Sequence, residues 1–101
     1  DIFTLTVTGP EEGETLRAAA QLRNAMRSGT QYPTASNLSI EILGPAPAPI
    51  VKVNNRYRYR IFWVGRNDQT TRGLLAYYIK AFHQKKENRG MNLFVDCNGE
   101  D

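Results

Sequence analysis

The chain is poor in the residues that most often carry out chemistry. Its 101 residues include one cysteine, Cys97, and one histidine, His83. A lone cysteine closes no internal disulfide and builds no zinc site by itself. The core must therefore hold the fold, and a reducing cytoplasm is the expected compartment. No apolar run approaches the ~18 residues of a membrane-spanning helix, so no membrane partner is expected. No signal-peptide pattern is present, and a start at Asp1 rather than Met reads as a piece cut from a longer protein. Neither G-x-x-x-x-G-K-[ST] nor G-x-G-x-x-G occurs, so two common cradles for nucleotide phosphates are missing. His83 has no carboxylate or nucleophile at a diagnostic spacing and reads as partly exposed and inert. Cys97, beside Asp96, reads as a small half-buried residue. Asp68 and Asp96 are isolated carboxylates, read as caps or edge charges before metal ligands. Catalysis, cofactor and metal are therefore not expected within these residues.

Acidic residues are scarce in one segment. Residues 52–89 hold ten basic side chains against two acidic ones, Asp68 and Glu87, while the whole chain is only +3. Charge polarised in this way fits an anionic partner, either nucleic acid or an acidic peptide. A solvated basic surface is the plainer alternative. With 41% hydrophobic residues, positions 1–101 suit a single domain with a modest core.

Alternation and helical spacing define the elements. Ile2 to Thr8 alternates as a strand, and Gly9-Pro10 ends it. Glu11, Glu12 and Glu14 suit a first helical turn, and Leu16, Ala19, Leu22 and Met26 supply one apolar face. Ser28-Gly29 closes that helix, with Gly29 as a left-handed cap. Thr30 to Asn37 is a polar connection. Leu38 to Leu43 alternates as a second strand, with Leu38, Ile40 and Ile42 inward. Pro45, Pro47 and Pro49 then imply a bulge, an edge or an extended crossover. Ile50 to Val53, the turn pair Asn54-Asn55 and the strand Arg56 to Val64 follow. Asp68 reads as the N-cap of a second helix, Thr70 to Glu87, with Leu74, Leu75, Tyr78, Ile79 and Phe82 as its apolar stripe. Gly90 caps its end, Met91 to Cys97 is a last strand, and Asn98 to Asp101 a frayed tail.

The order β-α-β-β-α-β predicts an α+β fold. It is the ferredoxin-like split arrangement, a four-stranded antiparallel sheet with two helices on one face. The strand Arg56 to Val64 would be central. Tyr57, Tyr59, Ile61 and Trp63 would face the helices. Arg56, Arg58 and Arg60 would form a row of ~13 Å on the open face, with Phe62 as the exposed aromatic of that side. Guanidinium groups in a row suit phosphates or carboxylates. Lys52 and Lys80 would add charge. Tyr32 and the other aromatics are stacking surface wherever they are exposed, but the strand does not match an RNP-type motif.

Ile42-Leu43-Gly44-Pro45-Ala46-Pro47-Ala48-Pro49-Ile50, followed by Arg56-Tyr57-Arg58-Tyr59-Arg60, resembles a known family. It is that of the C-terminal domains of the bacterial replication-restart helicase primosomal protein N′ (PriA). That family carries an L-G-P-A-P-A-P segment and a Y-R-Y or Y-R-W strand. Its closing V-D-V-D-P strand is matched here by Val95-Asp96-Cys97-Asn98-Gly99, which keeps the first Asp and replaces the second Asp and the Pro. The resemblance implies a bacterial, cytoplasmic parent: an ATP-dependent 3′–5′ DNA helicase with zinc-binding cysteines. ATP, Mg and Zn would belong to other parts of that protein. It implies that this domain binds single-stranded or forked DNA and helps dock the acidic, Phe-ending tail of single-stranded DNA-binding protein. A basic residue at the start of the second helix takes part in tail docking in the family; Arg72 is the matching position, with Arg66 beside it. The alternatives are a brace packed on the helicase core through its open sheet face, or a docking module for the tail alone.

Overall fold

The computed structural model describes residues 1–29 and 40–98. The elements are β1 (Ile2–Gly9), α1 (Glu12–Gly29), β2 (Glu41–Val53), β3 (Arg56–Val64), α2 (Gln69–Gln84), a 3-10 turn (Lys86–Asn88) and β4 (Asn92–Cys97). The strands form one antiparallel sheet in the order β2-β3-β1-β4. This is the ferredoxin-like order expected from the sequence, and β3 lies in the interior of the sheet beside β1. Tyr32 and Leu38, the connection around them and the chain beyond Asn98 lie outside the described residues.

The core sits between one sheet face and the helices. β1 contributes Phe3, Leu5 and Val7, β3 contributes Tyr59, Ile61 and Trp63, and β4 contributes Leu93. Strand partners share a face, so Phe3↔Trp63, Leu5↔Ile61 and Val7↔Tyr59 form continuous apolar rows. Tyr57 is half-buried at the margin of the same core.

α1 buries Ala19, Leu22 and Met26 as expected, and departs from the expectation at Leu16. Its buried positions are Thr15, Ala18, Ala19, Leu22 and Met26, and Leu16 faces outward. The Thr15 hydroxyl donates to the Glu11 carbonyl at 2.6 Å and lies against Gly9, where any side chain would collide with it. Thr15 thus takes the inner place that hydropathy alone assigns to Leu16. Gly29 is also reassigned. It is helical rather than left-handed, and a side chain there would run into the Tyr78 hydroxyl.

β2 is an edge strand, which is where prolines are tolerated. The proline segment is not a separate connection: it lies inside one strand from Glu41 to Val53. Its pairing with β3 slips twice, between Leu43 and Ala46 and between Pro47 and Lys52. The Gly44-Pro45 peptide is cis. Gly44 has φ +102°, and a Cβ there would stand 2.7 Å from the Arg60 carbonyl oxygen, so only glycine fits. Two helix arginines fix this strand: Arg23 donates to the Gly44 carbonyl at 2.9 Å, and Arg27 to the Ile42 carbonyl at 2.8 Å. Asn54 and Asn55 both adopt positive φ, as a two-residue hairpin turn of mirror-image type requires.

α2 ends at Gln84, three residues earlier than the sequence suggests. Asp68 caps its start, accepting from the Thr71 amide at 2.9 Å. The buried Asn88 secures its end, donating through Nδ2 to the Phe82 carbonyl at 3.0 Å. Gly90, with φ +84°, then turns the chain into β4.

Candidate nucleic-acid interface

The sheet face away from the helices is built on β1. Its outward residues Thr4, Thr6 and Thr8 are buried by taller neighbours on either side. The register gives rows across the sheet: Leu43, Phe62, Thr4, Asp96; then Ala46, Arg60, Thr6, Phe94; then Arg58, Thr8, Asn92. Arg60 lies over the Phe62 ring at 5.2 Å from its centroid. Such a contact draws the guanidinium to the electron-rich face of the ring.

The arginine row is present, but its members are not equivalent. Arg56 is committed to the fold: Nη2 donates to the Gly90 carbonyl at 2.8 Å and to the Thr8 carbonyl and hydroxyl at 3.2 and 3.3 Å. Arg58 makes one long hydrogen bond, 3.5 Å, to the Ile50 carbonyl. Arg60 has no hydrogen bond or ion pair among the described residues. Lys52 pairs with Tyr57 across the hairpin and lies over that ring at 5.1 Å, on the core side of the sheet. Lys80 is exposed on α2, in the helix layer. The open face therefore unites Arg58 and Arg60, with Arg56 anchored at its end, and does not gather Lys52 and Lys80.

Phe94 belongs to this face and was not singled out by sequence reasoning. It is 43% exposed and shares a row with Arg60. The signal was available, since Met91, Leu93 and Val95 alternate inward and leave Phe94 outward. The irregular part of β2 rises as a wall over the face. It bounds a half-open cavity of about 250 Å³ lined by Thr4, Thr6, Pro49, Ile50, Arg58, Arg60 and Asp96. Asp96, an edge charge in the sequence reading, thus stands in the same cavity as two arginines.

A second surface lies on the other side of the sheet. An apolar groove of about 260 Å³ runs between α2 and β4, lined by Phe3, Leu75, Ala76, Ile79, Val95 and Cys97, with Arg72 at its rim. Arg72 donates to the Asn67 side-chain oxygen at 2.8 Å, which holds the guanidinium at the head of α2. Arg66 is exposed in the preceding turn. The Thr71 amide holds the Asp68 carboxyl below its usual range, and the charges of Arg66 and Arg72 add to this. Asn67 Nδ2 also reaches the half-buried Cys97 Sγ at 3.6 Å.

His83 is exposed, with both ring nitrogens engaged, and one of them joins α2 to β4. Nε2 accepts from the Leu93 amide at 3.2 Å, which leaves Nδ1–H to donate to the Ile79 carbonyl at 3.1 Å. Among the described residues no three His, Cys, Asp or Glu side chains gather where they could hold a metal ion. No described helix is long and apolar enough to cross a membrane.

A search of curated proteins finds no match to this chain. The family described as primosomal protein N C-terminal domain matches residues 1–99. The proline strand, the arginine-bearing β3 and the ferredoxin-like sheet all fall inside that match. The chain belongs to the primosomal protein N C-terminal domain family, whose setting is primosome assembly and replication restart.

Proposed function

We propose that this domain is a recognition module without catalysis of its own. It binds single-stranded or forked DNA through its open sheet face, as part of a bacterial, cytoplasmic, ATP-dependent 3′–5′ helicase. The observation that carries this reading is the pair Arg58 and Arg60, free of carboxylate partners among the described residues and set beside Phe62 and Phe94. Guanidinium groups meet phosphates, and aromatic faces stack on unpaired bases of any sequence. ATP, Mg and Zn would be held by other parts of the parent.

The test is fluorescence anisotropy of labelled single-stranded and forked DNA at two salt concentrations. Binding should weaken with salt, with a slope of about −0.7 per phosphate neutralised on single strands. Arg58→Glu and Arg60→Glu should each reduce affinity severalfold. Affinity that ignores salt and both reversals would remove the open face as the DNA surface.

The groove beside Arg72 favours a second role. Its lining is apolar and its rim carries a cation, which suits an acidic peptide ending in Phe. The tail of single-stranded DNA-binding protein has that chemistry. Arg72→Ala should abolish tail binding and leave DNA binding intact; unchanged tail affinity would count against the groove. Ile2, Leu43, Ile50 and Phe94 are exposed, and they also fit a brace packed on the helicase core. Failure of the isolated chain to bind either ligand would favour that role.

A further inference from the structure

The cavity beside Arg58 and Arg60 holds a group that phosphate binding does not account for. Asp96, on β4 opposite Thr4, lines the same space. It makes no hydrogen bond or ion pair among the described residues, with either arginine or any other side chain. A surface that met phosphates alone would be weakened by a carboxylate, because like charges repel at short range. The cavity therefore presents acceptors on one wall and charged donors on another. The hydroxyls of Thr4 and Thr6, able to donate or accept, form the floor.

One nucleobase carries the complementary pattern on adjacent edges. Guanine offers its N1–H and its 2-amino group side by side, and both can be donated to the two oxygens of one carboxylate. Its O6 and N7 accept from a guanidinium, the commonest base-specific contact of arginine. Thymine has a single imino N–H, while adenine and cytosine each have a single amino group on the pairing edge. At about 250 Å³ the cavity has room for one base.

We infer that this cavity seats one guanine of a single strand, with Asp96 accepting from its Watson–Crick edge and Arg60 donating to O6 and N7. The inference rests on the nucleic-acid reading of the same face. It adds a base preference confined to unpaired DNA, because in a duplex that edge is occupied by cytosine.

The test compares a short labelled oligo-dT with the same strand carrying one central dG, and with one central dA, by anisotropy at low salt. A single dG avoids self-association of guanine runs. The dG strand should bind about tenfold more tightly than the other two, in the range of a bidentate base contact. The preference should vanish when the strand is annealed to its complement. In Asp96→Asn the ratio of dG to dT affinity should fall severalfold, whatever the absolute affinities, to the smaller preference that Arg60 supplies at O6 and N7. Titration of the unaltered chain with the dG strand should shift the amide resonances of Thr4, Thr6 and Asp96 beyond the shifts that oligo-dT causes.

Equal, salt-sensitive affinity for all strands would overturn the guanine site and leave the open face as a DNA surface. A preference that survives undiminished in Asp96→Asn would overturn the role of the carboxylate. Absence of binding to every strand would overturn the DNA reading and the guanine site with it.

Discussion

Tyr59 lies between the core and the helix layer. It is buried among apolar neighbours, and its hydroxyl donates to a Glu12 carboxylate oxygen at 3.0 Å. Burial pushes its phenol above the ordinary range, and the bond to Glu12 adds to the effect. A raised folded-state value favours the protonated form. The contribution to stability is thus full below the unfolded phenol value of about 10 and is lost as pH rises through the folded value. Tyr59→Phe should cost about 1 kcal/mol at neutral pH and flatten the alkaline limb of stability, as read by denaturant unfolding over a pH series. Asn88 is a sharper case. Its amide is buried and donates to the last turn of α2, while Arg17 reaches its side-chain oxygen at 3.4 Å and the Glu87 carbonyl at 3.2 Å. Asn88→Ala would leave the Phe82 carbonyl with only the Lys85 amide, at 3.4 Å, and about 1 kcal/mol of stability should go with the lost bond. Nothing in a polar run read as Q-K-K-E-N-R-G marks Asn88 as buried, because its partners come from α1 and from the helix it follows.

The elements were readable in the sequence because each carries its own period and its own stop signals. β3 alternates over its whole length, the two asparagines supply the positive φ of the hairpin, and Asp68 precedes α2 at capping distance. The inner place of Thr15 in α1 was not readable, since a buried threonine bonded to its own helix outranks the adjacent leucine. The commitment of Arg56 was equally hidden: the Gly90 carbonyl that it serves is 34 residues away. Alternation places a side chain on a face but does not say what the tertiary fold brings against it. The Asp68 carboxyl is held low, chiefly by the Thr71 amide. Its support of α2 is present above the unfolded carboxylate value and disappears as pH falls through the folded one. Asp68→Asn should preserve a cap while removing that acid-side dependence, as seen in thermal melts between neutral and acid pH. Arg23→Ala should release the Gly44 carbonyl. Hydrogen exchange should then quicken in β2 while the amides of β1, held between two strands, keep their protection.

At the scale of the whole molecule, the sheet separates two surfaces of different chemistry. Arg58, Arg60 and Asp96 stand on one side; the apolar groove with Arg72 stands on the other. Sites that share no side chain are expected to respond independently. Arg58→Glu and Arg72→Ala should therefore add when combined: the double variant should lose DNA and peptide binding to the same extents as the single variants, measured by anisotropy and calorimetry. The basic segment 52–89 supplies both surfaces, so its charge excess was visible in composition while its division between two faces was not. The clamped proline strand has a further consequence, for the behaviour of the chain in concentrated solution. A sheet recruits foreign strands through the free amides and carbonyls of its margins. Along β2, Pro45, Pro47 and Pro49 have no amide hydrogen to offer, while the carbonyls of Ile42 and Gly44 already accept from Arg27 and Arg23. That margin is poorly suited to templating, and self-association into fibrous aggregates, where it occurs, should begin at β4.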